Sequence, residues 1–151
     1  MTAVSFQRTP IYRCQLVRDG STKTQPKLNS TDRAREVANE MLKDSPIEQF
    51  IVIMLDTKLK VIGATVITVG TLDASLVHPR EVFRPAIIAN SSAVIVAHNH
   101  PSGDLTPSRE DWSAYESLQH AGKLLGISVL DSLIVNLECF NDFRRPRYAR
   151  D

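Results

Sequence analysis

The sequence has few cysteines, no long apolar run and almost no net charge, and each absence excludes a class of protein. Only two cysteines, Cys14 and Cys139, occur among the 151 residues, and neither belongs to a C-x-x-C pair. A disulfide framework and a cysteine zinc cluster are therefore not expected. No segment approaches the roughly 20 apolar residues of a membrane helix. A net charge of +1 gives no overall field that would attract nucleic acid.

The composition is that of a globular domain. Hydrophobic residues make up 42% of the chain and charged residues 23%, which are the proportions of a soluble folded protein. A chain of this length can form one domain that buries about two thirds of its unfolded surface. Residues 1–8 lack the basic start and apolar core of a secretory signal. We therefore expect a cytoplasmic protein with no membrane partner.

Helical and strand-like patterns alternate along the chain. Residues 1–30 are expected to form a peripheral segment with one strand at 11–17. From Thr31 onward, helical spacing of apolar residues is followed by two apolar runs typical of a strand hairpin, and helices and strands then alternate. The pattern predicts a single α/β domain over residues 31–136, with a mixed β-sheet flanked by helices, and a basic tail over 137–151.

Two of the predicted helices have features that the structure can test. In the helix around residues 78–90, Pro85 is expected to lie in the first turn or to introduce a kink. The helix over 108–125 is expected to end at Gly126. Its predicted apolar face consists of Trp112, Tyr115, Leu118, Ala121, Leu124 and Leu125.

Two histidines follow the apolar stretch "SAVIVA" and precede a tight turn. Side chains two residues apart on a strand point to the same side, so His98 and His100 can converge on one point while Asn99 points away. The turn "PSGD" then leads into a helix that carries Asp111 near its start. Two imidazoles and one carboxylate, with a fourth position for water, are the donor set of a catalytic zinc ion.

Other interpretations of these residues remain open from the pattern alone. Histidines at strand ends are often simply hydrogen-bonded, and Ser108 with Asp111 also fits a capping box at the helix start. The letters "HNH" do not predict a nuclease, because the middle Asn99 would point away from its neighbours. A zinc hydrolase needs a group that transfers protons. The candidates are Glu48 and Asp56, and Glu48 fits an exposed acid at a strand edge equally well.

Taken together, six residues resemble the signature of a known family: Glu48, His98, His100, Pro101, Ser108 and Asp111. Their order and spacing resemble the JAMM (JAB1/MPN-type) zinc metalloproteases, and "HNHPSGD" followed by "PSxxD" is similar to the RadC-like bacterial branch. The resemblance spans residues 31 to about 135. It implies the JAMM/MPN fold, with its cytidine-deaminase-like layout, in a stand-alone form without the N-terminal helix-hairpin-helix domain of full-length RadC.

The same resemblance implies a site and an activity. Zinc (Zn²⁺) would be bound by His98, His100 and Asp111, with Glu48 as the general acid/base and Ser108 as a hydrogen-bond donor to the oxyanion. The implied reaction is hydrolysis of a peptide or isopeptide bond in a protein or peptide substrate.

Two further functions are compatible with the sequence. One is a catalytically silent, zinc-containing module that binds a protein. The other is a DNA-repair-associated protein that contacts nucleic acid through an arginine-rich tail, which contains Arg144, Arg145, Arg147 and Arg150. The chain departs from the branch at Ser132, where the branch usually has His, and at Asn136, where it usually has Gly. The usual Ser-x-x-Glu near the end is also not evident, and the departures favour the silent module slightly.

Overall fold

The computed structural model describes residues 10, 12–17, 25–43, 45–70, 77–136 and 140–142, with side chains described as far as residue 136. Within these ranges the chain forms three helices and five strands. They are α1 (Thr31–Leu42), β1 (Gln49–Leu55), β2 (Val61–Val69), α2 (Pro79–Ile88), β3 (Ala93–Asn99), α3 (Arg109–Leu125), β4 (Ser128–Val135) and β5 (Phe140–Asp142).

The strands form one mixed sheet in the order β2-β1-β3-β4-β5. The strands β3 and β4 are parallel because α3 connects them, whereas the other neighbouring pairs are antiparallel. The predicted hairpin of β1 and β2 is present, and the predicted α/β fold with a mixed sheet and flanking helices is confirmed.

Helices cover both faces of the sheet. The helix α1 packs on one face against alternate residues of β1 and β3, including Ile51, Ile53 and Ile95. The helices α2 and α3 pack on the other face, where Phe83 and Leu118 meet the remaining alternate residues of the same strands. Central strands buried on both faces explain why β1 and β3 read as nearly continuous apolar runs.

The N-terminal segment differs from its prediction. Residues 12–17, the described part of the strand predicted at 11–17, form neither helix nor strand. Leu28, predicted to be peripheral, is buried in the α1-side core, and Lys27 makes an isolated antiparallel bridge to Lys60. The core therefore begins a few residues before α1, beside the β1–β2 hairpin, where the N–H of Leu28 donates to the backbone oxygen of Leu59 at 2.8 Å.

Two helix details are corrected. Leu124 is 89% exposed, because it lies about 120° around the helix axis from Leu118, and Leu125 is exposed in the last turn. Pro85 lies inside α2 rather than in its first turn, where it is buried and where the helix continues to Ile88. The expected stop at Gly126 is present, with this glycine in the left-handed conformation at φ 70°. No helix in the described ranges is both long enough and apolar enough to cross a membrane.

Candidate metal centre

The two histidines meet at the end of β3. His98 is buried and its ring stacks on Phe50, with ring centroids 5.9 Å apart, whereas His100 follows the strand and is partly exposed. The Nε2 atoms of the two rings lie 3.0 Å apart. In neutral imidazoles each Nε2 is either a donor or an acceptor, so two such atoms aimed at one point suit a cation that accepts both lone pairs.

The first turn of α3 adds a carboxylate to the histidines. Asp111 places Oδ1 3.2 Å from Nε2 of His98 and Oδ2 3.6 Å from Nε2 of His100. Burial raises the pKa of Asp111, but the hydrogen bond and charge of His98, together with hydrogen bonds from Ser108, outweigh burial and lower this pKa to about 2. The side chain is therefore an anionic donor at neutral pH.

These three side chains fit a zinc ion. Tetrahedral zinc with ligand bonds of 2.0–2.2 Å holds neighbouring donor atoms about 3.3 Å apart. The Nε2–Nε2 separation of 3.0 Å and the 3.2 Å from Oδ1 of Asp111 to Nε2 of His98 lie near this value. The other carboxylate oxygen, Oδ2, lies 3.6 Å from Nε2 of His100. The donors are two imidazole nitrogens and one carboxylate oxygen, which are common ligands of zinc.

Glu48 lies beside this cluster, just before β1. Its Oε1 is 3.8 Å from Nε2 of His100, and Glu48, His98 and His100 have potential ligand atoms within 4.8 Å of one another. The position follows from the antiparallel register of β1 and β3, in which Phe50 pairs with His98. Because Glu48 precedes Phe50 by two residues, it reaches the end of the sheet where His100 follows β3.

The other acid considered from the sequence, Asp56, lies elsewhere. It follows the opposite end of β1, where Leu55 pairs with Ala93. Its Oδ1 accepts hydrogen bonds from the backbone N–H groups of Lys58 and Lys60 at 2.8 and 2.9 Å. Asp56 therefore shapes the hairpin turn, and Glu48 is the acid beside the histidines.

The turn after His100 orients its ring. Nδ1 of His100 is within hydrogen-bond distance of the backbone oxygen of Asp104, and Gly103 takes a positive φ of 82° so that its N–H can donate to the oxygen of His100. A carbonyl partner requires the proton on Nδ1, which leaves the lone pair of Nε2 directed at the cluster. The letters "PSGD" predicted a turn, but not this contact.

Ser108 caps α3 and also lies next to the candidate site. Its Oγ accepts from the N–H of Asp111 at 3.0 Å, and its own N–H donates to Oδ2 of Asp111 at 2.8 Å. The capping box considered from the sequence is thus present, and the same Asp111 carboxylate faces both histidines. The hydroxyl proton of Ser108 is not used in these two contacts and can be donated to another group.

Both residues that depart from the RadC-like pattern lie near the histidines. Ser132 is buried on β4 and lines a narrow cavity with Phe50, His98 and Leu118. Asn136 follows β4, and its Nδ2 donates to the backbone oxygen of Gly103 at 3.3 Å. Asn136 therefore contacts the turn that orients His100.

The tail considered for nucleic-acid contact lies outside the part of the chain that the structure describes. Arg144, Arg145, Arg147 and Arg150 lie outside the described residues, as does Cys139. The nucleic-acid interaction stays a prediction.

Comparison with known proteins gives one family. A family model described as "RadC-like JAB domain" matches residues 28–147. A UPF0758 protein of Thermotoga maritima is 52% identical over 120 residues, which cover 78% of this chain and 53% of the relative. UPF0758 protein STH371 of Symbiobacterium thermophilum is 55% identical over 98 residues, which cover 65% and 42% respectively. The chain spans about half the length of the curated relatives it matches.

Proposed function

The chain belongs to the RadC-like JAB domain family, and from this premise we propose that it is a zinc-dependent hydrolase of peptide or isopeptide bonds. The proposal rests on one observation above all. The Nε2 atoms of His98 and His100 lie 3.0 Å apart, the Asp111 carboxylate reaches one with Oδ1 and the other with Oδ2 at 3.2 and 3.6 Å, and Glu48 lies at the edge of that cluster.

The zinc ion and the protein side chains would each carry out a different part of the hydrolysis. A zinc ion at these three residues would supply Lewis-acid activation of water and of the scissile carbonyl group. Glu48 would take a proton from the attacking water and deliver it to the leaving nitrogen as the carbon–nitrogen bond breaks. Ser108 would donate its hydroxyl proton in a hydrogen bond to the oxyanion that develops on the carbonyl oxygen.

The exposure of the site supports a polymeric substrate. His98 is buried and anchors the cluster, whereas His100 and Glu48 are only partly buried, with side chains 16% and 21% exposed. A cluster that is fixed on its inner side and open on its outer side can be reached by a peptide segment of another protein. We therefore include a protein or peptide substrate in the proposal.

Metal analysis tests the first half of the proposal. Purified protein is expected to contain one zinc ion per chain, and Asp111→Asn is expected to lose it although Asn can still accept the hydrogen bond from Ser108. Asp32→Asn is the matched control, because Asp32 is an exposed aspartate in the first turn of α1, where its carboxylate pairs with Arg35. Equal zinc content in all three proteins would contradict the assigned ligands.

A glutamate substitution tests the second half. Glu48→Gln should keep zinc and lose hydrolysis in a screen of fluorogenic peptides and isopeptide-linked lysine substrates, since glutamine cannot carry the proton. Glu116→Gln, at an exposed acid of α3, should behave as wild type. Hydrolysis that survives Glu48→Gln would contradict the role of Glu48, and bound zinc without any hydrolysis by wild type would favour the silent binding module.

A further inference from the structure

Asn99 separates the two candidate histidine ligands along the chain, and its side chain is aimed at a distant segment. We propose that Asn99 is a positioning residue that holds Glu48 beside the metal site. The inference rests on the proposed function, because it assigns a role relative to Glu48 and the two histidines. In this role Asn99 acts through the position of Glu48 and not by its own contact with substrate or metal.

The contacts of Asn99 surround Glu48 along the chain. Oδ1 of Asn99 accepts from the N–H of Gln49 at 2.7 Å, and Nδ2 donates to the backbone oxygens of Ile47 and Ser45 at 3.1 and 3.4 Å. Ile47 and Gln49 lie immediately before and after Glu48 and Ser45 lies three residues before it, while Asn99 itself is 50 or more residues away along the chain. A single side chain therefore fixes the backbone on both sides of the candidate acid/base.

This contact replaces backbone pairing where the sheet ends. The ladder between β1 and β3 has its last pair at Phe50 and His98. Beyond it, the N–H of Gln49 is satisfied by the Asn99 side chain, and residues 45–48 form neither helix nor strand. From the β2 side, the N–H of Gly70 donates to the backbone oxygen of Glu48 at 2.8 Å. Asn99 and Gly70 thus hold this segment from opposite sides.

The hydrogen-bonding groups around the Asn99 side chain require a carboxamide at this position. One acceptor faces an N–H group and two donors face carbonyl oxygens, which is the arrangement that asparagine offers and aspartate does not. The side chain is 5% exposed, so water does not readily replace a lost partner. Because successive residues of a strand point to opposite faces, β3 directs two imidazoles toward the metal and the intervening carboxamide toward the glutamate segment.

Substitution of Asn99 should disturb Glu48 more than it disturbs the histidines. Asn99→Asp keeps the size and the acceptor but sets a carboxylate against two carbonyl oxygens. Asn99→Ser keeps a small donor and acceptor and introduces no charge, so it serves if the aspartate variant does not fold. Asn39→Asp is the matched control, since Asn39 is a partly buried asparagine in α1 whose Oδ1 accepts no hydrogen bond from the described residues.

The experiment uses cobalt(II) in place of zinc, because its visible absorption reports on the ligands and on the ionisation of water at the metal. The pH profile of this absorption is measured for wild type, Glu48→Gln, both Asn99 variants and Asn39→Asp. We expect the Asn99 profiles to move from the wild-type profile toward that of Glu48→Gln. Their cobalt affinity should fall by less than the about 10–100-fold typical when an outer-shell partner of a metal ligand is lost.

The outcomes separate this inference from the proposed function. Wild-type profiles in both folded Asn99 variants would overturn the positioning role and leave the proposed function intact. An equal displacement in Asn39→Asp would also overturn it, because any buried charge would then have the same effect. Failure of wild type to bind cobalt would overturn the proposed metal site, and the positioning role with it.

Discussion

At the scale of single residues, Ser108 combines a structural and a proposed catalytic contact. Its oxygen caps the N-terminus of α3 while its hydroxyl proton is available to a group bound at the proposed metal site. Ser108→Ala should therefore lower the free energy of unfolding by about 1 kcal/mol through loss of the cap. It should also reduce hydrolysis without loss of zinc, because the oxyanion loses a donor. Urea unfolding, zinc content and turnover measure the three effects.

Ser108→Thr separates the two roles of the hydroxyl group. Threonine retains both the cap oxygen and the donor, so stability and hydrolysis should remain close to those of wild type. If the alanine and threonine variants hydrolyse substrate equally well, Ser108 acts only as a cap.

The sequence predicted which residues carry the candidate chemistry better than it predicted their surroundings. The two-residue period of a strand predicted that His98 and His100 converge. The pattern alone left Asp111 open between a ligand and a helix cap, and the family resemblance added it to the proposed site. The hydrogen bonds of Asn99 to the residues beside Glu48 were not predictable in this way. The two-residue period of a strand says only that Asn99 points away from the histidines. Its partners depend on the register of β1 against β3, which local sequence does not encode.

At the scale of secondary-structure elements, Gly122 sets how closely α3 approaches the start of β4. A methyl group at this position would meet the backbone oxygen of Ile127 and the side chains of Phe83 and Val129. Alanine favours a helix by up to about 1 kcal/mol relative to glycine, whereas overpacking a core costs about 1–3 kcal/mol. We expect Gly122→Ala to be destabilising, because the nearest obstacle is backbone and cannot rotate away.

Thermal unfolding of Gly122→Ala beside Ser117→Ala measures this effect. Ser117 is exposed on the same helix, so its replacement tests helix propensity without the close approach. A Gly122→Ala protein as stable as Ser117→Ala would mean that α3 shifts to accommodate the methyl group.

The stability of the hairpin between β1 and β2 should depend on pH, because the Asp56 carboxylate stabilises its turn when ionised. Hydrogen bonding from the N–H of Lys60 is the main cause that lowers the pKa of Asp56 below 3.8, with smaller contributions from Lys58 and from the lysine charges. Because the folded-state pKa is depressed, the stabilisation is present above 3.8 and is lost as pH falls through the lowered pKa. Asp56→Ala should therefore be less stable than wild type at neutral pH.

The difference in melting temperature between Asp56→Ala and wild type should narrow in acid. Glu116→Ala serves as the control for removal of an exposed acid outside a turn. A difference that stays constant from neutral pH to below 3.8 would contradict the role of the ionised carboxylate in the turn.

Sequence patterns were reliable for elements that lie in the middle of the sheet and weaker at the periphery. The buried strands β1 and β3 are continuous apolar runs that leave little ambiguity. The segment at 12–17 has apolar residues but forms no strand, and Tyr12 and Val17 are 83% and 80% exposed. In α3, Leu124 is apolar but lies on an uncovered side of the helix. Tertiary packing, rather than local composition, decides these cases.

At the scale of the whole molecule, the candidate site joins three elements of the fold, and Glu48 comes from a part of the sequence distant from the other three residues. Glu48 lies just before β1, the histidines lie at the end of β3, and Asp111 lies in the first turn of α3. The unfolded chain does not hold these donors together, so the free energy of metal binding adds to the stability of the folded domain. Zinc is therefore expected to stabilise the packing of α3 against the sheet as well as to supply chemistry.

The size of this stabilisation follows from mass action. Free zinc at 100 times its dissociation constant should add about 2.7 kcal/mol to the free energy of unfolding, or about 5–10 °C in melting temperature for a domain of this size. Calorimetry with and without a chelator measures the shift. His100→Ala should abolish it, whereas His120→Ala, at an exposed histidine on α3, should retain it. If both variants keep the full shift, the stabilising ion binds outside the cluster of His98, His100 and Asp111, and the link between metal binding and the β3–α3 junction is wrong.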